Sequence, residues 1–117
     1  MTEQTESSKL CLIVVPEADG ERVLEQLGAL DFGGTKVGSR GGFLKRGSST
    51  ILVGVPASEV PKVVAMLHRE FPLRNESIPV QQLPFLEDSE AAGGGTIEVR
   101  VGGAVMFVLD ISKLIQT

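Results

Sequence analysis

The sequence predicts one α+β domain in which two helices cover one face of a mainly antiparallel sheet. Apolar runs of strand character alternate with two segments whose apolar residues recur at helical spacing, in the order βαββαββ. The 117 residues are 42% hydrophobic, which suits a single domain with a single core. This order of elements is typical of a ferredoxin-like sandwich, written βαββαβ with one further strand.

The first strand and the first helix follow a short polar segment. Residues 1–8 are polar without periodicity, so we expect a disordered tail before a domain at 9–117. Leu10–Val15 is continuously apolar and branched, which is typical of a central strand covered on both faces. Asp19 is a candidate N-cap for a helix. Its apolar stripe is Val23, Leu24, Leu27 and Leu30.

Two more strands and the second helix follow. Gly33 and Gly34 are expected to end the first helix. Thr35–Ser39 and Thr50–Val55 read as strands on either side of a glycine-rich loop. Ser58 can cap the second helix, and Pro61 is tolerated in its first turn. The apolar stripe predicted for that helix is Val60, Val63, Val64, Leu67 and Phe71.

Residues 72–95 differ in character, with three prolines, an acidic cluster and a closing run of glycines. We expect a long flexible loop there, poorly ordered over 79–95 without a ligand, in which Ile78–Phe85 could form a strand locally. After it, Ile97–Val101 alternates as a half-exposed strand.

Gly102-Gly103 is a hairpin signal that would pair Ile97–Val101 with Ala104–Leu109. We expect the C-terminal segment Asp110–Thr117 to pack as a short helical turn. The predicted strands carry apolar residues on both sides, so the sheet face without helices also needs cover. A subunit interface is the economical explanation.

Composition disfavours several classes of protein. The formal net charge of −4 argues against a binder of nucleic-acid polymers. No apolar run approaches the roughly 20 residues that span a bilayer, and Met1–Ser8 does not resemble a signal peptide. The single cysteine, Cys11, fits a buried thiol in a reducing cytoplasm. His68 lacks a partner at ligand spacing, so we expect a surface residue and no metal site.

An enzyme is also disfavoured. The sequence shows no histidine near a candidate nucleophile and no paired carboxylates on rigid elements, so we expect no catalysis. Glu87, Asp88 and Glu90 are closely spaced, but they read as a solvated acidic run.

The stretch from Gly33 to Gly54 carries the binding chemistry that the sequence offers. Its glycines allow close approach to a ligand, and their N–H groups can form a concave site for an anionic oxygen. Lys45 and Arg46 add positive charge, and Phe43 offers an apolar face to a flat ring. An ordinary hairpin with solvated charges is the alternative.

Two runs of the sequence are distinctive. The first is Thr35-Lys36, then Gly41-Gly42-Phe43-Leu44-Lys45-Arg46-Gly47-Ser48-Ser49-Thr50, then Gly54-Val55. The second is Glu98-Val99-Arg100-Val101-Gly102-Gly103-Ala104-Val105-Met106-Phe107-Val108. Together they resemble the PII-like cyclic di-AMP receptor family, and the likeness extends from about Lys9 to Gln116. It implies a cytoplasmic homotrimer with three nucleotide sites between neighbouring subunits, no cofactor, and loops whose order changes on binding to signal to a downstream protein.

The resemblance also implies roles for individual residues. Thr35 would hydrogen-bond a base, Gly54 would allow close approach from the third strand, and Gln116 would reach across from the C-terminus. Three loop residues, Gly42, Phe43 and Leu44, would line the adenine and phosphate contacts.

Three positions depart from the family pattern. Gly33 stands where the family commonly has an arginine, Asp31 stands for an asparagine, and Ser48 stands for a loop asparagine as a shorter donor. Three hypotheses follow: a cyclic di-AMP receptor, the same trimer with another adenine nucleotide, and a trimeric scaffold without a small ligand that docks through residues 72–95.

Overall fold

The computed structural model describes residues 8–37, 47–79 and 95–117. Eight elements follow one another along these residues: β1 (Ser8–Pro16), α1 (Gly20–Ala29), β2 (Gly34–Val37), β3 (Ser48–Pro56), α2 (Val60–Glu70), β4 (Leu73–Pro79), β5 (Thr96–Gly102) and β6 (Val105–Asp110). A single turn of 3₁₀-helix precedes each α-helix, at Glu17–Asp19 and at Ala57–Glu59.

The main sheet has four strands in the order β2-β3-β1-β6, and every neighbouring pair is antiparallel. β1 and β3 form the centre, and β2 and β6 form the two edges. With β6 as the fourth strand of the repeat, this order is that of a ferredoxin-like sandwich, so the predicted fold class is confirmed.

The core lies between the helices and one face of this sheet. Alternate residues of β1, namely Cys11, Ile13 and Val15, are buried against the helices, as strand periodicity requires. Buried residues of α1, β3 and α2, together with Phe71 directly after α2, complete the core: Val23, Leu27, Ile51, Val53, Val55, Val63, Met66, Leu67 and Phe71. Cys11 is a free thiol that is fully buried, and burial raises its pKa.

The residues that α2 buries in the core differ slightly from the apolar stripe predicted for this helix. Met66 is fully buried, whereas Val64 is 36% exposed. Spacings of three and of four residues both occur on one helical face, so the pattern alone could not choose between these two neighbours. His68 is exposed, as expected.

Of the three helix-end expectations, one is confirmed and two are wrong. Asp19 holds the N-cap position of α1, as expected, although its side chain makes no cap bond and its carboxylate lies 3.9 Å from Arg22. Glu59, and not Ser58, holds the cap position of α2. The first helix ends at Ala29, and the left-handed turn after it is made by Asp31 with φ of 67°, not by Gly33 or Gly34.

Leu73–Pro79 forms a strand inside the segment that the sequence assigned to a long loop. β4 pairs with β5 in a separate two-stranded antiparallel sheet, which we call the β4–β5 arm. The rest of the predicted loop, residues 80–94, lies outside the described residues, so its flexibility stays a prediction. The part of the expected strand Ile78–Phe85 that follows Pro79 also stays a prediction.

The pairing predicted from Gly102-Gly103 is wrong. Both glycines have positive φ, of 80° and 81°, but the strands on either side of them enter different sheets. β6 pairs with β1, with Leu12 opposite Phe107. A Cβ on Gly102 would lie 2.8 Å from the carbonyl oxygen of Pro72, so this glycine allows close packing at the base of the β4–β5 arm.

The C-terminal tail, residues 111–117, forms neither helix nor strand, so the expected helical turn is wrong. It begins where a salt bridge joins Lys9 of β1 to Asp110 of β6. The hydrogen bond from Lys9 and its positive charge lower the pKa of the Asp110 carboxyl.

The second face of the main sheet carries apolar side chains without a covering layer of helices. Strand register places four alternating sets of residues on it: Leu10, Leu12 and Val14 of β1; Leu52 and Gly54 of β3; Val105, Phe107 and Leu109 of β6; Thr35 and Val37 of β2. We call this surface the open face. Phe107 and Val105 are 48% and 55% exposed on it.

Candidate functional site

Thr35 and Gly54 come together on the open face, at its β2 edge. Thr35 lies directly opposite Leu52 in the β2–β3 ladder, and Gly54 is two residues further along β3. Diagonal neighbours of this kind share one face of a sheet at about 7–8 Å. Both residues are exposed. The structure therefore presents a hydroxyl and a bare stretch of backbone side by side.

Gly54 is not required by packing within its own chain. A Cβ built on it would meet no heavy atom within 4 Å, and it is absent from the glycines that have positive φ. Gly34, one residue before Thr35, contrasts with it, because a Cβ there would lie 3.0 Å from Leu27. A glycine within a strand often marks a place where a ligand or another backbone approaches closely. Gly54 has the surroundings of such a position.

The loop between β2 and β3 has a firmly held stem on the β3 side. The backbone N–H of Glu17 donates a hydrogen bond of 2.6 Å to the carbonyl oxygen of Gly47, which has φ of 77°. The hydroxyl of the buried Ser49 donates to the carbonyl oxygen of Glu17 at 3.3 Å. The predicted site residues Gly42, Phe43 and Leu44 lie outside the described residues, as do the loop cations Lys45 and Arg46.

Ser48 lies at the other end of β3 from Gly54. Six residue steps at about 3.4 Å each put the two roughly 20 Å apart, so one compact group cannot touch both side by side. Ser48 lines a cavity of about 480 Å³ together with Pro16, Leu73 and Ala104. We call it the stem cavity, because Gly47 and Ser48 belong to the stem of the loop. Its walls are mainly apolar.

Gln116 is exposed in the C-terminal tail, which follows the edge strand opposite β2. Three strand spacings of about 4.8 Å separate the two edges, or roughly 14 Å. The strand order therefore places the start of the tail at the edge of the sheet far from Thr35.

The electrostatics beside Thr35 are set by a surface ion pair. Lys36 Nζ lies 2.6 Å from Glu21 Oε2, on the helix side of β2. The positive charge of Lys36 is thus matched within the chain and points away from the open face. In the described parts of the chain, no three His, Cys, Asp or Glu side chains lie close enough together to hold a metal ion.

Two features of this region were not visible in the sequence. The first is the anchor from Glu17 to Gly47, for which a backbone hydrogen bond between distant residues leaves no compositional signal. The second is the stem cavity, because its walls come from well-separated segments at residues 14–16, 47–48, 73 and 102–105.

The sequence model of a protein family described as "Cyclic-di-AMP receptor" matches residues 8–117. A crystal structure described as a functionally unknown protein from Pediococcus pentosaceus superposes with a TM-score of 0.72 at 24% sequence identity. The match covers 97% of this chain and 100% of that one, and it shows the same fold. Within the described ranges, no helix has the length and apolar character needed to cross a membrane.

Proposed function

The chain belongs to the cyclic-di-AMP receptor family, and we propose that it binds cyclic di-AMP in clefts between the subunits of a homotrimer without catalysing a reaction. The family match supports the ligand. The placement of the site rests on Gly54, an exposed glycine at which an added Cβ would meet no heavy atom within 4 Å, with Thr35 beside it on the same face.

The open face supports association of copies. Val37, Val105, Phe107 and Leu109 are 41 to 55% exposed there, and Leu10, Leu12 and Leu52 lie between them. A contiguous apolar surface of this kind on a small chain is typical of an interaction site. We propose that a second copy of the chain covers the open face. In a closed ring of copies, the open face of each subunit packs against an identical apolar face, so every open face is covered.

The chemistry of the ligand suits the residues present. Cyclic di-AMP has two flat adenines and two phosphates, so it calls for backbone donors, hydroxyls and apolar walls. Thr35 supplies a hydroxyl, and Gly54 supplies bare backbone to which a ring can come close. In the proposed trimer, Gln116 of a neighbour would complete the cleft.

A relay through loop order is the second part of the proposal. The hydrogen bond from Glu17 to Gly47 fixes the point at which the β2–β3 loop rejoins the sheet. A ligand that touches Phe43 would order the loop against this fixed stem. Ordering a segment is a recognised way to pass on a binding event. A downstream protein in the cytoplasm would read the ordered loop.

The β4–β5 arm favours one alternative, a trimeric scaffold without a small ligand. Ile78, Ile97, Val99 and Val101 lie on one side of the arm and are only partly buried. The other alternative is a different adenine nucleotide, which the departures at Gly33, Asp31 and Ser48 favour. Both alternatives predict weak or absent binding of cyclic di-AMP.

Calorimetry with cyclic di-AMP, cyclic di-GMP and ATP, combined with light scattering, tests the proposal. We expect a trimer that prefers cyclic di-AMP over the other two nucleotides. A 12.4 kDa monomer at micromolar concentration would remove the clefts between subunits. A trimer that prefers ATP would favour the second hypothesis, and a trimer that binds none of the three would favour the scaffold.

Thr35→Val tests the proposed hydrogen bond to the ligand. Valine keeps the shape of threonine without its hydroxyl, and loss of one hydrogen bond costs about 0.5–1.5 kcal/mol. We expect affinity for cyclic di-AMP to fall about 2- to 12-fold with the mass of the trimer unchanged. Thr96→Val, at an exposed position on the β4–β5 arm, is the matched control. Equal affinities for the two variants would remove Thr35 from the site.

A further inference from the structure

We propose that the C-terminal tail of one subunit docks in the stem cavity of a neighbouring subunit through Leu114 and Ile115. The contact would anchor the tail beside the stem of the neighbour's β2–β3 loop, at Gly47 and Ser48. This inference rests on the proposed trimer and adds the apolar anchor and its receiving cavity.

The tail carries two apolar side chains with no cover of their own. Leu114 is 77% exposed and Ile115 is 72% exposed, the largest exposed fractions among the large hydrophobic residues that the structure describes. They are adjacent in a segment without helix or strand, so neither can be buried by local structure. Side chains of this kind are buried most readily in a pocket on another part of a protein.

The stem cavity has the size and polarity to receive them. Its walls include Val14, Pro16, Leu73, Ala104 and Val105, and its volume is about 480 Å³. An apolar cavity of about 150 Å³ accommodates a benzene ring. The stem cavity is therefore large enough for two branched aliphatic side chains.

A tail cannot fill the cavity of its own chain. The cavity lies at the Val105 end of β6, and the tail leaves from the Asp110 end, about 17 Å away at 3.4 Å per residue. The five residue steps from Asp110 to Ile115 span at most about 18 Å when fully extended, which leaves no length for a turn. The chain would also have to reverse direction first. A second copy must therefore supply the tail.

The cavity adjoins the surface on which we place that second copy. Val14 and Val105 are a directly paired couple on the open face, and both also line the stem cavity. A subunit seated on the open face would therefore lie beside the mouth of the cavity. Its tail would enter next to Ser48, a residue of the proposed ligand site.

A disulfide trap tests the contact in the ligand-free protein. The double variant Leu73→Cys with Ile115→Cys should form bonds between subunits on mild oxidation and give linked dimers and trimers on a non-reducing gel. Mixing the two single variants should give a linked dimer. The matched control pairs Ile115→Cys with Asn75→Cys, which is exposed on the arm, and should give little linkage. The buried Cys11 can stay in place.

A bond within one chain, or no bond above the control, would overturn the proposal. Leu114→Ser with Ile115→Ser provides a second readout, in which affinity for cyclic di-AMP should fall about 10- to 100-fold. Lys113→Ser, in the same tail, should leave the affinity unchanged. Disulfide linkage in a protein that binds no nucleotide would support the docked tail and reject the proposed ligand. Tight binding of cyclic di-AMP without linkage would support the ligand and reject the docked tail.

Discussion

The substitution Gly54→Val should have opposite effects on the stability of the single chain and on ligand binding by the assembled protein. Within the chain the new side chain meets open space, and the backbone there does not need positive φ. Glycine in a strand costs roughly 0.5–1 kcal/mol relative to alanine, and valine favours strands further. The single chain should therefore become more stable by about 1 kcal/mol.

The assembled protein should respond in the opposite direction. If a ligand packs against Gly54, the added atoms overfill the contact, which typically costs about 1–3 kcal/mol. We expect Gly54→Val to weaken binding of cyclic di-AMP about 5- to 150-fold, measured by calorimetry, while light scattering still gives a trimer.

The control for this experiment is Gly28→Val, at an exposed position of α1 where an added Cβ also meets nothing within 4 Å. That variant should bind as the wild type does. Wild-type affinity for Gly54→Val would refute the placement of the ligand. Loss of the trimer would instead assign Gly54 to the contact between subunits.

Three further predictions test neighbouring parts of the proposal. Phe43→Ala should weaken nucleotide binding about 5- to 150-fold, because stacking of a base on an aromatic ring contributes roughly 1–3 kcal/mol, while the melting temperature stays nearly unchanged; early melting would mark Phe43 as a core residue. Phe107→Asp puts a charge on the open face of every copy and should give monomers by light scattering, and an intact trimer would show that this face is not the interface. Gly33→Arg restores the cation of the family pattern at an exposed position with open space, and should strengthen binding about 10-fold or more, as a hydrogen bond to a charged group would. Gly28→Arg adds the same charge elsewhere and should have no such effect, and equal gains from both would point to general electrostatics.

The main sheet and its helices could be predicted because buried and exposed residues recur in them with the period of a strand or of a helix. Val23 and Leu27 are both fully buried one helical turn apart, and Cys11, Ile13 and Val15 alternate along β1. In the β4–β5 arm, β5 shows this alternation but β4 lacks it. Six of the seven residues of β4 are exposed, so the strand is held by its ladder to β5 and not by an apolar face that a pattern could reveal. The glycine pair at 102–103 indicated a turn correctly, but a turn does not determine which strands pair.

The candidate site also has parts that could be predicted from the sequence and parts that could not. The resemblance supplied Thr35 and Gly54, and their nearness depends on the register of β2 against β3, which the glycine-rich loop between them leaves open in the sequence. The apolar residues Leu114 and Ile115 gave no strand or helix pattern, and their interest comes only from their exposure in the folded chain.

The three departures from the family pattern do not weigh equally against cyclic di-AMP. Asp31 adopts φ of 67°, a left-handed conformation in which asparagine and aspartate are both enriched, so this replacement preserves the turn. Ser48 lines the stem cavity and keeps a hydroxyl, a group that is both a donor and an acceptor, as a side-chain amide is. Gly33 removes a side chain altogether and leaves open space at its position. The choice between cyclic di-AMP and another adenine nucleotide therefore turns mainly on whether the cleft needs a cation at residue 33.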